Sequence, residues 1–113
     1  MIAGVHMAQI VDVTESSFEA EVIKSDLPVL LVFWAPWSAP SKQVVEILRA
    51  AAEEYSDRVK VVLLNIDDCP DLQARLKVPR IPTLAVYKNG YEEATKTGAM
   101  SKTQIYALIN AAL

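Results

Sequence analysis

The sequence is poor in the side chains that perform metal and nucleophilic chemistry, since it has a single cysteine, Cys69, and a single histidine, His6. One cysteine cannot form an intrachain disulfide, and this composition favours a reducing, cytoplasmic location. Metal sites built from several cysteines or histidines are excluded, and no other cofactor is predicted. Because His6 lies in the N-terminal tail, a catalytic pair that needs a histidine in the core is excluded as well.

Clusters of basic residues are also missing, and the formal net charge is −3. We therefore predict no nucleic-acid binding, which needs a basic face to neutralise phosphates. The longest apolar run, 27–37, contains two prolines and is shorter than the about 20 residues that a membrane helix requires. The N-terminus lacks the basic start of a secretory signal, so neither membrane attachment nor secretion is predicted.

The length of 113 residues suits a single domain, which we place at 9–113. Residues 1–8 are predicted to be a flexible N-terminal extension. This extension is either natural or left from cloning, and Met7 is an alternative start.

Strand and helix patterns alternate along the domain in the order β-α-β-α-β-α-β-β-α. The predicted strands are 9–14, 27–35, 58–67, 83–88 and 92–98. The predicted helices are 17–25, 38–57, 69–78 and 101–113, the first of them capped by Thr14, Ser16 or Ser17. Asn89-Gly90 predicts a hairpin turn between the last two strands. The fold class is therefore α/β, with a mixed central β-sheet flanked by helices on both faces.

Two serines stand in the stretch "WAPWSAPSK", which follows the most apolar run of the chain. Ser38 is predicted to cap the N-terminus of the long helix, and Ser41 to lie in its first turn, where a small polar residue is harmless. A hydrolase with a serine nucleophile is disfavoured, because the core has no histidine and the sequence has no G-x-S-x-G motif.

The chain resembles the thioredoxin family from about Gln9 to Leu113. The segments that carry the resemblance, in family order, are "FWAPW", "SAPSK", "NID", "RIPTLAVYKNG" and "KTGAMSK". It implies a thioredoxin fold and a parent activity in electron transport and redox homeostasis, namely protein-disulfide reduction by dithiol–disulfide exchange. It also implies protein substrates as partners, and a thioredoxin reductase for the parent protein.

The family carries W-C-G-P-C-K where this chain has W-S-A-P-S-K. The resemblance therefore puts Ser38 at the position of the nucleophilic cysteine and Ser41 at that of the resolving cysteine. A hydroxyl cannot take part in thiol–disulfide exchange, so the chain is predicted to be redox-inactive. Val32 and Leu63 stand where many members have a buried aspartate and a nearby lysine, and both are expected simply to fill the core.

The resemblance further implies a groove that binds an extended protein segment beside a cis proline. Its predicted apolar rim consists of Trp37, Ala39, Pro40, Ile81, Pro82, Gly98 and Ala99. Arg80 replaces the family's usual glycine before I-P-T, so a cation beside the groove is expected to affect the choice of partner.

Two interpretations of the serines stay open. One is a thioredoxin whose redox pair has been replaced, and the other is a natural, redox-inactive binding scaffold that uses the groove. For Cys69, which precedes Pro70 at a helix start, the sequence allows a lowered thiol pKa or an incidental exposed thiol.

Overall fold

The fold is built on one five-stranded mixed sheet with helices on both faces, as predicted. The computed structural model describes residues 10–113. The strands are β1 (Ile10–Asp12), β2 (Val29–Trp34), β3 (Lys60–Asn65), β4 (Thr83–Lys88) and β5 (Tyr91–Thr97). The helices are α1 (Ala39–Glu54), α2 (Pro70–Arg75) and α3 (Lys102–Ala112). The N-terminal extension predicted at 1–8 lies outside the described residues.

Strand β2 lies at the centre of the sheet, whose order is β1-β3-β2-β4-β5. It pairs in parallel with β3 and antiparallel with β4. Its alternate side chains enter two core clusters, for example Val32 in the cluster under α1 and α3 and Leu31 in the cluster on the other face. A continuous run of apolar residues is what a strand covered on both faces requires.

Both long helices begin at capping serines. Ser38 caps α1, and Ser101 caps α3 in a reciprocal capping box with Gln104. No helix within residues 10–113 combines the length and the apolar character needed to cross a bilayer.

The first helix, predicted over 17–25, is shorter than expected and has π-helical instead of α-helical hydrogen bonding. It is a π-helical turn over Glu19–Ile23, in which the N–H of Lys24 donates to the carbonyl of Glu19. No side chain caps it, because Thr14 and Ser17 bond to each other instead. Its carbonyl end packs closely on the β4–β5 turn, where a side chain on Gly90 would meet the Ile23 carbonyl at 3.1 Å.

Helix α2 starts at Pro70, one residue after the predicted start at Cys69, and ends at Arg75, three residues before the predicted end. Lys77 takes a left-handed conformation with φ 56° and stops the helix, and the N–H of Val78 then donates to the carbonyl of Gln73. The hairpin turn at Asn89-Gly90 has positive φ at both residues, as this dipeptide predicts.

Cys69 is fully buried in the core cluster between α2 and the sheet, which excludes the exposed thiol that the sequence allowed. Its Sγ donates to the carbonyl of Val13 at 3.6 Å. Burial, and secondarily the negative charges of Glu15 and Asp68, raise the pKa of the thiol. The lowered pKa allowed by the sequence is therefore wrong, because desolvation disfavours the thiolate.

We expect Cys69 to be unreactive in the native chain, because its thiol is both inaccessible and protonated. Titration with Ellman's reagent should show little reaction under native conditions and one thiol per chain in concentrated guanidinium chloride. An Ala107→Cys variant, with its new thiol on the exposed face of α3, supplies the rapidly reacting control. Rapid reaction of the native parent chain would contradict the burial of Cys69.

Candidate functional site

Strand pairing brings three connecting segments to one end of the sheet. Phe33, near the end of β2, lies opposite Thr83 at the start of β4, and Thr83 lies opposite Thr97 at the end of β5. The segment 35–38, the turn 79–82 and the segment 98–101 extend from these positions. The segments that the sequence analysis assigned to a single site therefore lie together at one end of the sheet.

Ser38 lies at the start of α1, as predicted, with an extended backbone and only 8% of its surface exposed. Its Oγ accepts a hydrogen bond from the backbone N–H of Ser41 at 3.3 Å. Pro40 occupies the first turn, where it costs no intrahelical hydrogen bond. The residue at position 38 is therefore held against the unpaired N–H groups of a helix that starts there.

Ser41 is in the first turn of α1, but its surroundings differ from the prediction that a polar residue is harmless there. It is 0% exposed, and its Oγ has no hydrogen-bond partner. A buried hydroxyl without a partner costs about 1–3 kcal/mol. A thiol, which behaves as a small apolar group, would carry less of this penalty.

The side chain of Trp37 makes a hydrogen bond that the sequence did not predict. Its side chain is 67% exposed, and its Nε1 donates to Oδ2 of Asp67 at 3.0 Å. Asp67 is itself positioned because its N–H donates to Oδ1 of Asn65 at the end of β3. Both polar residues belong to the "NID" segment, and the sequence alone gives no sign that Asp67 accepts a hydrogen bond from Trp37.

Val32 and Leu63 fill the core, as expected from their aliphatic side chains. They lie opposite each other in β2 and β3 and are 0% and 4% exposed. No titratable side chain replaces the buried acid and base that the family resemblance leads one to expect at these positions.

The predicted groove residues differ in how far they are exposed. Ala39, Pro40 and Ala99 are exposed together with Trp37, whereas Ile81 and Gly98 are half-buried. Pro82 is buried, so it contributes to the floor rather than to the rim. The Ile81–Pro82 peptide bond is cis, as predicted, and the N–H of Gly98 donates to the carbonyl of Pro82 at 2.8 Å.

The sequence as a whole matches known proteins over nearly the same range as the described fold. The profile of the Thioredoxin family matches residues 9–111. A thioredoxin of Haemophilus influenzae is 41% identical over 104 residues, covering 92% of this chain and 97% of its own. A thioredoxin of Pseudomonas aeruginosa is 45% identical over 102 residues, covering 90% of this chain and 94% of its own. Because family profile, relatives and sheet topology agree over most of the chain, this protein belongs to the thioredoxin family.

Proposed function

We propose that this chain is a thioredoxin-family protein whose parent activity is protein-disulfide reduction, and that it is itself redox-inactive. In the parent reaction a thiolate at position 38 attacks a disulfide of the substrate protein, whose other sulfur leaves as a thiolate. A thiol at position 41 then displaces the substrate from the mixed disulfide and forms a disulfide with position 38.

The observation that carries this proposal is the pair of environments around the two serines. Position 38 accepts a hydrogen bond at a helix N-terminus, which is where a thiolate is stabilised by unpaired N–H groups and the helix dipole. Position 41 is enclosed and offers its hydroxyl no partner. Both environments suit sulfur, and the second suits a hydroxyl poorly.

The chemistry of serine explains the proposed inactivity. A serine hydroxyl stays protonated near neutral pH unless a base activates it, and residues 10–113 contain no histidine to serve as one. Cys69 is buried in the opposite core cluster from Val32 and cannot substitute for either missing thiol.

The alternative is a redox-inactive scaffold that binds partner proteins through the groove. It is supported by the backbone of Ile81, whose N–H and C=O form no hydrogen bond within residues 10–113. Under either interpretation the expected partners are proteins, and a thioredoxin reductase is expected only for the parent activity. The cytoplasmic location remains a prediction from the cysteine content.

We predict that the chain reduces a protein disulfide no faster than a dithiol reductant alone. The Ser38→Cys/Ser41→Cys variant should reduce it well above that background, because both sulfurs are then restored at their positions. The assay follows reduction of a protein disulfide in the presence of dithiothreitol. A Ser38→Ala/Ser41→Ala variant serves as the control and should match the parent chain.

Catalysis by the unaltered chain would refute the proposed inactivity. A double-cysteine variant that folds but stays inactive would mean that the loss extends beyond the two sulfurs, with Val32 and Leu63 as the next positions to test. The binding scaffold would then become the better interpretation.

The two serines should affect stability in opposite directions. Replacing Ser41 by alanine should raise the free energy of unfolding by about 1 kcal/mol, because it removes a buried hydroxyl without a partner. Replacing Ser38 by alanine should lower it by about 1 kcal/mol, because it removes a helix cap. Urea unfolding followed by tryptophan fluorescence measures both changes. A loss of stability in Ser41→Ala would show that the hydroxyl is satisfied and would remove the main support for the proposal.

A further inference from the structure

Arg80 places an unneutralised cation next to the groove. Its side chain is exposed, and neither an ion pair nor a hydrogen bond to its guanidinium is formed by any residue of 10–113. A Cβ built on Gly98 would lie 3.7 Å from Nη2 of Arg80, so the guanidinium reaches across to the segment that follows β5. The guanidinium thus lies between the turn 79–82 and the segment 98–101.

The backbone that carries this cation is fixed to the sheet. The hydroxyl of Thr83 donates to the carbonyl of Arg80 at 2.6 Å and lies 3.0 Å from the hydroxyl of Thr97. These contacts tie the turn before β4 to both β4 and β5. Arg80 therefore projects from a positioned backbone, so engaging a partner has to order only its side chain.

The residue next to Arg80 offers a free pair of backbone groups. The N–H and C=O of Ile81 are unpaired within residues 10–113, whereas the next carbonyl, that of Pro82, is taken by Gly98. Ile81 lies just before β4, beyond the paired part of the sheet, and unpaired backbone groups of this kind can hydrogen-bond to an extended segment. In such a segment the two residues on either side of the one facing Ile81 point to the same face.

We propose that the groove binds an extended acidic segment of a partner protein, and that Arg80 selects an aspartate or glutamate next to the residue that pairs with Ile81. This inference rests on the proposed function, since it takes the groove to be the binding surface. The planar guanidinium can hold a carboxylate through two parallel hydrogen bonds. The carboxylate of Asp67 accepts a hydrogen bond from Trp37, and the formal net charge of the chain is −3, so the preference for an acidic segment depends on Arg80 and not on an overall positive charge.

The test measures binding to the unaltered serine chain by fluorescence anisotropy. Labelled heptapeptides share one sequence of valine and serine and differ only in the two residues flanking the central valine, which are glutamate, glutamine or lysine. We expect the glutamate peptide to bind about two- to fivefold more tightly than the glutamine peptide, the range expected of an exposed ion pair. The lysine peptide should bind most weakly.

Three variants test whether Arg80 causes the preference for the glutamate peptide. Arg80→Gln should make the glutamate and glutamine peptides bind equally, and Arg80→Lys should keep part of the preference. Arg58→Gln removes a cation at the opposite end of the sheet, where Arg58 stacks on Tyr55, and should leave the preference unchanged. Circular dichroism checks that each variant is folded.

The inference is overturned if no peptide binds, if the three peptides bind equally, or if the preference survives in Arg80→Gln. Each of these results leaves the disulfide-reduction assay of the double-cysteine variant untouched. Activity of that variant without peptide selection would therefore support the proposed function and reject acidic selection by Arg80.

Discussion

The rest of the structure depends on strand β2, which is buried on both faces and paired along both edges. Pairing with β3 and β4 prevents β2 from sliding along either neighbour. The position at which the chain leaves the sheet, at Trp34, is therefore fixed. The same pairings fix Thr83 and Asn65 beside it, and with them the turn that carries Arg80 and the segment that carries Asp67. The site geometry is therefore a property of the sheet, and in this chain it holds serines at positions 38 and 41.

The sequence predicted those features that depend on local pattern or on the family resemblance. The order of elements, the capping of α1 by Ser38 and the turn at Asn89-Gly90 followed from periodicity, capping and turn chemistry. The cis bond before Pro82 followed from the resemblance. The end of α2 did not follow, because lysine is an unusual residue for a left-handed helix stop and Lys77 gave no signal. The orphaned hydroxyl of Ser41 and the burial of Cys69 depend on tertiary packing, which neither helix periodicity nor a neighbouring proline reveals.

At positions 38 and 41 a cysteine and a serine side chain have similar geometry, but a hydroxyl needs a hydrogen-bond partner when it is buried and a thiol needs one much less. At Ser38 a hydroxyl is well accommodated, since its oxygen is a good acceptor for the N–H groups of a helix start. At Ser41 the hydroxyl oxygen is a polar atom without a partner in an enclosed space. The aliphatic pair Val32 and Leu63 departs from the family pattern in the other direction, since hydrocarbon often replaces a buried ion pair at no cost in stability.

The burial of Cys69 has a practical consequence for finding partners of this protein. Because the only native thiol is inaccessible, one cysteine introduced at position 38 would be the only thiol placed at the helix N-terminus to react with a partner. Its attack on a partner's disulfide would leave the two proteins covalently joined, because the hydroxyl of Ser41 cannot displace the partner as a second thiol would. With Ser41 in place, a Ser38→Cys variant would therefore act as a covalent trap for any protein whose disulfide reaches position 38.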